Sequence, residues 1–296
     1  MKRMRARAPD LSVIVPVYRD REALATLLHA LGQQERPGAD MFELIVVDND
    51  PNGPGALTDL PDPGFPARIV TCATPGSYAA RNAGVAAARG ASLVFTDADC
   101  RPAPGWLAAM ARALAVRPDT LLAGPVLLDP GPDPSDWAIF DTVRGIPQAA
   151  FISRGYAATA NLACTRALFD RIGGFAEDRL SGGDAEFCRR AGRRGVGLEL
   201  VTDAPVHHPA RATRAALVTK ARRIKGGQVA VGPVSRRVIW TLRSLVPPLR
   251  EIWAYLRAPH GWRWRWIACR VRLQLWGVEL AELFRLLVLR APPERR

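Results

Sequence analysis

No apolar stretch in this chain of 296 residues reaches the roughly 18–20 uncharged residues that a membrane-spanning helix needs. No segment is therefore expected to cross a bilayer. Cysteine is scarce: the five, at 72, 100, 164, 188 and 269, are odd in number and show no C-x-x-C spacing. Neither a disulfide framework nor a zinc site follows, and a reducing cytoplasm fits best. The basic start, residues 1–10, leads into no apolar signal core and reads as a tail. No internal repeat or low-complexity tract is visible. What is most sharply missing is negative charge near the C-terminus. Residues 207–296 hold 4 Asp+Glu against 19 Lys+Arg, whereas residues 1–206 hold 24 against 22. The net charge of +13 thus originates in the last third of the chain, which implies an anionic partner surface for that part.

What is present begins with strand-type runs. Residues 11–17 are β-branched and apolar, and a polar turn then leads to an amphipathic helix near 21–34. A second strand over 42–47 ends at Asp48-Asn49-Asp50, and 51–66 is a Pro- and Gly-rich loop. A third strand over 68–72, an Ala-rich helix over 76–89 and a fourth strand over 92–96 follow. Beyond these the pattern predicts a helix over 106–116, a strand over 121–127, a loop over 129–136 and a second segment over 157–166. A helix over 185–194 comes after glycine-rich turns at 173–174 and 182–183. Strands alternating with helices at this pitch predict an α/β fold with a doubly wound, mainly parallel sheet and a site at the strands' C-terminal ends.

The fourth strand runs straight into Thr96-Asp97-Ala98-Asp99. Two carboxylates one residue apart at a strand's end face the crevice where open α/β sheets bind ligands. Hard oxygen ligands at this spacing suit Mg²⁺ or Mn²⁺, which in turn can hold a diphosphate. Paired acids are also common in solvated loops, so this spacing decides little alone. Asp184 opens the helix over 185–194, where capping is the local reading, because an acid at a helix N-terminus is favoured by the dipole.

Five motifs in order give the chain a resemblance to the inverting family 2 glycosyltransferases of GT-A fold, over about 11–230. Ser12-Val-Ile-Val-Pro-Val-Tyr18 is similar to the family's opening strand, and Glu43-Leu-Ile-Val-Val-Asp48-Asn49 to its second strand with the nucleotide-binding acid. Ala80-Arg81-Asn82-Ala83-Gly84 resembles its A-R-N-x-G helix start, and Asp97-Ala98-Asp99 its metal-binding D-x-D. Gly173-Gly174-Phe175, followed by Gly183-Asp184-Ala185-Glu186-Phe187, resembles the acceptor-side turn and base motif. Many relatives carry Glu-Asp where this chain has Gly183-Asp184, so the first acid is missing and the base remains.

The resemblance implies an inverting transfer of a sugar from a nucleotide-sugar donor to a hydroxyl acceptor. Asp184 is then the general base. Pro16, Tyr18, Asp48, Asn49, Arg81 and Asp97 line the donor, with Tyr18 available to stack on the base and Arg81 near the diphosphate. Asp99 is the metal ligand for Mn²⁺ or Mg²⁺, helped by His208 or alternatively His207 in the loop after the final strand. Asn161 and Glu186 fall on the acceptor side, with a helix-surface acid as the other reading of Glu186. The basic run Arg222-Arg223-Ile-Lys225-Gly226-Gly227 sits where relatives have a basic segment, and the Q-x-x-R-W motif of processive synthases is lacking. Non-processive transfer is therefore expected. The acceptor implied is a glycan or lipid-linked envelope glycan.

The expected organisation is a catalytic domain over 11–232 and a basic helical region over 233–296. In 234–257, Val238, Leu242, Leu245, Leu249, Ile252 and Leu256 are spaced 4, 3, 4, 3, 4, with arginines at 236, 243, 250 and 257 on another face. Pro247-Pro248 must kink or divide this helix. A second stretch puts Trp266, Cys269, Leu273, Trp276, Leu280, Leu283 and Leu287 on one face. Two readings stand: helices packed on the catalytic domain, or a surface for an anionic membrane, with the protein peripheral on the cytoplasmic face.

Two other classes compete. A nucleotidyltransferase would want a Gly-rich phosphate loop after the first strand, and Pro16-Val-Tyr-Arg-Asp20 is not one. A non-enzymatic nucleic-acid binder would explain the arginines, but these interleave with Leu and Trp in helical register. No nucleic-acid partner is therefore expected.

Overall fold

A computed structural model describes residues 10–35, 42–179 and 181–294. The basic tail lies outside them up to residue 9. By contact the chain forms two compact units. The first comprises the chain up to Leu127, with Pro147–Glu177 and Gly183–His208; the second comprises Leu128–Ile146, Asp178–Gly182 and Pro209–Arg296.

The first unit opens with β1 (Leu11–Val17), α1 (Arg21–Gly32), β2 (Phe42–Asp48), β3 (Ala67–Thr71), α2 (Ser77–Ala87) and β4 (Ser92–Thr96). There follow β5 (Arg101–Pro102), α3 (Trp106–Val116), β6 (Thr120–Ala123) and β7 (Val126–Asp129), the last running on into the second unit. The second unit then adds α4 (Asp136–Arg144). The first resumes with α5 (Gln148–Ile152), β8 (Asn161–Thr165), α6 (Arg166–Ile172), α7 (Gly183–Arg193), β9 (Gly197–Leu200) and β10 (Val206–Pro209). Last come α8 (Arg214–Val229), α9 (Val234–Leu245), α10 (Leu249–Leu256) and α11 (Trp262–Leu287) of the second unit.

Seven strands form the main sheet in the order β3-β2-β1-β4-β8-β6-β9. Its strands pair in parallel except β8, which is antiparallel to both neighbours. The mainly parallel sheet expected from the sequence is present. β1 and β2 are buried almost throughout, as parallel strands covered on both faces must be, which is why they read as continuous apolar runs. α1 starts at Asp20, whose carboxylate accepts from Ala23 N–H, a cap worth about 1 kcal/mol. It buries Leu24, Leu27, Leu28 and Leu31, each contributing roughly 1.5–3 kcal/mol. α2 lies against β1 and β2 so closely that a Cβ on Gly84 would come within 2.6 Å of Ile14 Cγ2 and 2.9 Å of Val47 Cγ2. That approach fixes where the rest of α2 presents its side chains.

The single strand expected over 121–127 is instead two. Gly124-Pro125 breaks it, because proline offers no N–H to a ladder and a side chain at 124 would strike Ala204 O at 2.1 Å. β6 joins the main sheet and β7 joins a smaller one, ordered β5-β10-β7. His207 and His208 also lie within strand β10, not in the loop expected for them.

The second unit is helical and takes in more than the 233–296 expected for it. Phe140 of α4 and Leu217 of α8 share a core with Tyr255, Ala268, Cys269, Val271 and Leu275. Asp141 is 1% exposed and receives Arg144, Arg211 and Lys220 around one carboxylate. Burial alone would raise its pKa; Lys220, Arg211 and Arg144 outweigh that and hold it below the usual value. Lys225 is likewise buried, with Nζ bonded to Ser244 Oγ at 2.8 Å and paired with Glu279 at 3.2 Å. This run of basic residues ties α8 to α9 and α11. The residues Pro247-Pro248 end α9 and start α10, as expected. On α11 the expected stripe divides: Cys269 and Leu283 are buried, but Trp266, Leu273 and Leu287 are exposed, while Val271 and Leu275 from another face go inward.

Candidate active site

The first unit gathers its polar residues at the C-terminal ends of β1, β2 and β4. β4 is buried down to Thr96, whose hydroxyl donates to Ala160 O at 2.9 Å. The chain then turns sharply, with Cys100 N–H donating to Asp97 O at 3.1 Å. This turn leaves Asp97 and Asp99 with 33% and 35% of their side-chain surface open. β10 pairs antiparallel with β5 in the register Val206↔Pro102 and His207↔Arg101. Because β5 follows Asp99 directly, the pairing carries the histidines back to the acids. Alternation along the strand exposes His207 and buries His208, whose Nε2 lies 3.4 Å from Asp99 Oδ2. Ligand atoms of Asp97, Asp99 and His208 all lie within 4.8 Å of one another. Two carboxylates and an imidazole at this spacing fit a divalent cation such as Mn²⁺. Asp97, expected on the donor, joins the cluster beside Asp99.

Arg81 backs this cluster. It is 3% exposed on α2 and its guanidinium pairs with Asp97 Oδ1. Its buried Nε has no hydrogen-bond partner among the described residues. Asn82, next to it, receives Phe175 N–H at 3.0 Å and donates to Phe175 O at 2.9 Å. The A-R-N motif therefore holds the Gly173-Gly174 turn, where both glycines take positive φ, and sends Phe175 into the core against Phe95 and Phe187.

Asp184 lies in the first turn of α7. Its Oδ1 accepts from Ala185 N–H at 2.8 Å and from the Tyr78 hydroxyl at 3.4 Å. Burial pushes its pKa up; Ala185 N–H, the Arg81 charge and the Tyr78 hydrogen bond pull it down, and Asp97 adds to the rise. Net, the carboxyl stands above its ordinary value. The capping expectation is met in part, since the acid does bond to its own helix.

The remaining expected residues divide. Tyr18, just beyond β1, is 37% exposed, with the Arg19 guanidinium 4.9 Å from its ring centre. Pro16 sits half-buried opposite Val47. Asp48 uses its two oxygens on the backbone N–H groups of Asp50 and Leu57, both at 2.9 Å. Asn49 donates to Cys72 O and Thr74 O and accepts from Gly76 N–H. Both thus brace the loops around the strand ends. Both residues expected on the acceptor side are bonded within the protein. Asn161 is fully buried, its amide bonded to Trp106 Nε1, Pro125 O and Ala204 O, so it holds the core and faces no ligand. Glu186 makes a two-point pair with Arg190 at 2.9 and 3.0 Å, and Arg190 reaches on to Gly174 O. The Glu186 side chain is about one-fifth exposed. The sequence reading passed over Tyr78, whose one signal was an aromatic ring in the Ala-rich start of α2.

Comparison with known proteins agrees with this arrangement. Residues 12–176, more than half the chain, match the family described as Glycosyl transferase family 2. The chain belongs to that family and is a glycosyltransferase. Glycosyltransferase AglE of Haloferax volcanii is 29% identical over 256 residues, covering 82% of this chain and 84% of that protein. Among solved structures, the mannosyltransferase PcManGT of Pyrobaculum calidifontis, in complex with GDP-Man and Mn²⁺, superposes with a TM-score of 0.56. The match covers 93% of this chain and 87% of that one at 17% identity. TarS 1–349 of S. aureus with UDP-GlcNAc gives 0.53, covering 93% and 88% at 16% identity. The fold is GT-A.

Proposed function

We propose that this enzyme transfers a sugar, with inversion and one residue per encounter, from a nucleotide-sugar donor to a hydroxyl of a glycan or lipid-linked acceptor. The observation that carries this is the convergence of Asp97, Asp99 and His208 within 4.8 Å, backed by Arg81 and joined by the raised-pKa carboxyl of Asp184. Relatives of this fold hold GDP-Man with Mn²⁺ or UDP-GlcNAc, which supports a nucleotide-sugar donor here.

In the reaction the acceptor oxygen attacks C1 from the face opposite the diphosphate. Asp184 takes the hydroxyl proton, and the C1–O bond breaks with its electron pair leaving on the nucleoside diphosphate. Asp97, Asp99 and His208 would hold Mn²⁺ or Mg²⁺, which when bound stabilises the charge growing on that leaving group. Arg81 adds a fixed positive charge beside Asp97. Tyr18 offers an open ring to the base, beside the loops that Asp48 and Asn49 brace.

A screen of UDP-, GDP- and dTDP-sugars with Mn²⁺ or Mg²⁺, read as nucleotide release, tests the reading. One donor class should be hydrolysed, and excess chelator should stop it. No hydrolysis with any donor, or turnover undiminished by chelator, overturns it.

The second unit supports attachment to an anionic bilayer. Among the described residues no helix is long and apolar enough to cross a membrane. Val238, Leu242, Leu245 and Leu249, the apolar stripe of α9 and α10, are at least half exposed, while Ile252 alone turns to the core. Helices packed on a protein surface would bury that stripe. Arg243 and Arg257 lie over Trp240 and Trp253, an arrangement suited to the headgroup boundary. Attraction to anionic lipid is worth about 1 kcal/mol per nearby basic residue. The protein should float with phosphatidylglycerol vesicles at low salt, less so at high salt. Leu242→Glu with Leu245→Glu should abolish flotation without lowering Tm, since both side chains are exposed. Unchanged flotation of that variant would remove the stripe from the reading.

A further inference from the structure

We propose that Tyr78 is a positioning residue for Asp184: its hydroxyl aims the carboxylate, and its ring is the reason that glycine precedes the base. This rests on Asp184 acting as the base.

Gly183 stands where the sequence departs from the acidic pair of its relatives, and backbone conformation does not explain it. The residue is not among the described glycines with positive φ. Space does explain it. A Cβ on Gly183 would lie 2.6 Å from Tyr78 Cε2 and 2.7 Å from Cζ, far inside van der Waals contact. The ring cannot retreat readily, for it is 8% exposed and wedged between Phe175, 5.9 Å between ring centres, and the Arg81 guanidinium, 5.9 Å from its centre. A side chain at 183 would therefore have to displace the ring of Tyr78.

The ring brings its hydroxyl to the N-terminus of α7. It donates to Asp184 Oδ1 at 3.4 Å, and the amides of Gly183 and Asp184 lie close to its oxygen. Burial, with the charge of Asp184 adding to it, raises the phenol pKa, so the group stays protonated and donates. With Ala185 N–H on the same oxygen, two donors occupy Oδ1. Oδ2 has no hydrogen bond among the described residues and is the oxygen left to take a proton. Tyr78 thus selects which oxygen is the base, from a helix other than the one that carries it. The other groups bearing on the carboxylate are Arg81 of α2, Asp97 beyond β4 and Cys188 on α7 itself.

The test measures kcat, KM and the pH profile for the nucleotide sugar that the wild-type protein hydrolyses with Mn²⁺. Tyr78→Phe keeps the ring and removes the hydroxyl. Loss of a hydrogen bond to a charged group should lower kcat roughly 10–100-fold, with KM for the donor within about twofold because the donor contacts stay. The acid limb should move to higher pH, since a donor favouring the ionised carboxylate is gone. Gly183→Ala should also lower kcat, and should cost much less when made in a Tyr78→Ala background, where the ring no longer meets the new methyl. A thermal melt separates folding failure from these effects. Wild-type kcat and pH profile in Tyr78→Phe, beside an inactive Asp184→Asn, would overturn the proposal and leave the base assignment standing. An active Asp184→Asn would instead overturn both.

Discussion

Asp184→Asn should cut the transfer rate by roughly 10²–10⁴-fold, the range for loss of a general base. On the proposed reading nucleotide affinity by calorimetry should hardly change, because a general base acts on the acceptor hydroxyl and not on the nucleotide. The substitution is nearly isosteric, and an amide oxygen can still accept from Ala185 N–H and the Tyr78 hydroxyl. The pH behaviour follows from burial, which lifts the carboxyl above its ordinary range. Only the ionised form can take a proton, so wild-type activity should climb with pH through that raised pKa and lose its acid limb in the variant. Stability should move the other way. A carboxyl whose folded pKa exceeds its unfolded pKa stabilises the fold below the unfolded value and loses that contribution as pH rises through the folded one. Wherever the carboxyl is ionised its charge is disfavoured by its surroundings, and Asp184→Asn should melt at the same temperature or higher there. Lost nucleotide binding with intact chemistry would make Asp184 a donor contact or a cap.

Asp99→Asn should abolish donor turnover without unfolding the protein. Asp99 lies on the turn after β4 with about a third of its side chain open, so little packing is lost. What is lost is a charged ligand from a group whose other members are Asp97 and His208. Saturating Mn²⁺ should raise the Tm of the wild-type protein, by about 2.7 kcal/mol of added stability at a hundred times Kd, and should leave that of Asp99→Asn almost unmoved. His208→Ala should weaken this response more than His207→Ala, since only His208 points inward. Equal effects of the two histidine substitutions would remove His208 from the metal shell.

The membrane proposal starts from a pattern that periodicity leaves open. The 4, 3, 4, 3, 4 spacing of the α9–α10 stripe fits a buried face and a lipid-facing one equally. Leu242, Leu245 and Leu249 are exposed in the structure, which supports the lipid-facing reading that flotation would test. α11 was harder to read, because apolar residues lie on more than one of its faces and several helices compete for it.

The sequence by itself determined the main sheet, the D-x-D turn, the family motifs and the basic helical region. These features are local: strand burial shows as apolar runs, Pro247-Pro248 marks a helix break, and short motifs keep chemistry on one loop. Only the tertiary structure decided the rest, because it depends on segments far apart in the chain. The β5–β10 register chose His208 over His207. Packing of β8 withdrew Asn161 from the site, since its amide met three partners in the interior. An ion pair one helical turn away, Glu186 with Arg190, took the second acid. And only the fold sets the ring of Tyr78 against Gly183, more than a hundred residues along the chain, a matter of space that no local pattern records.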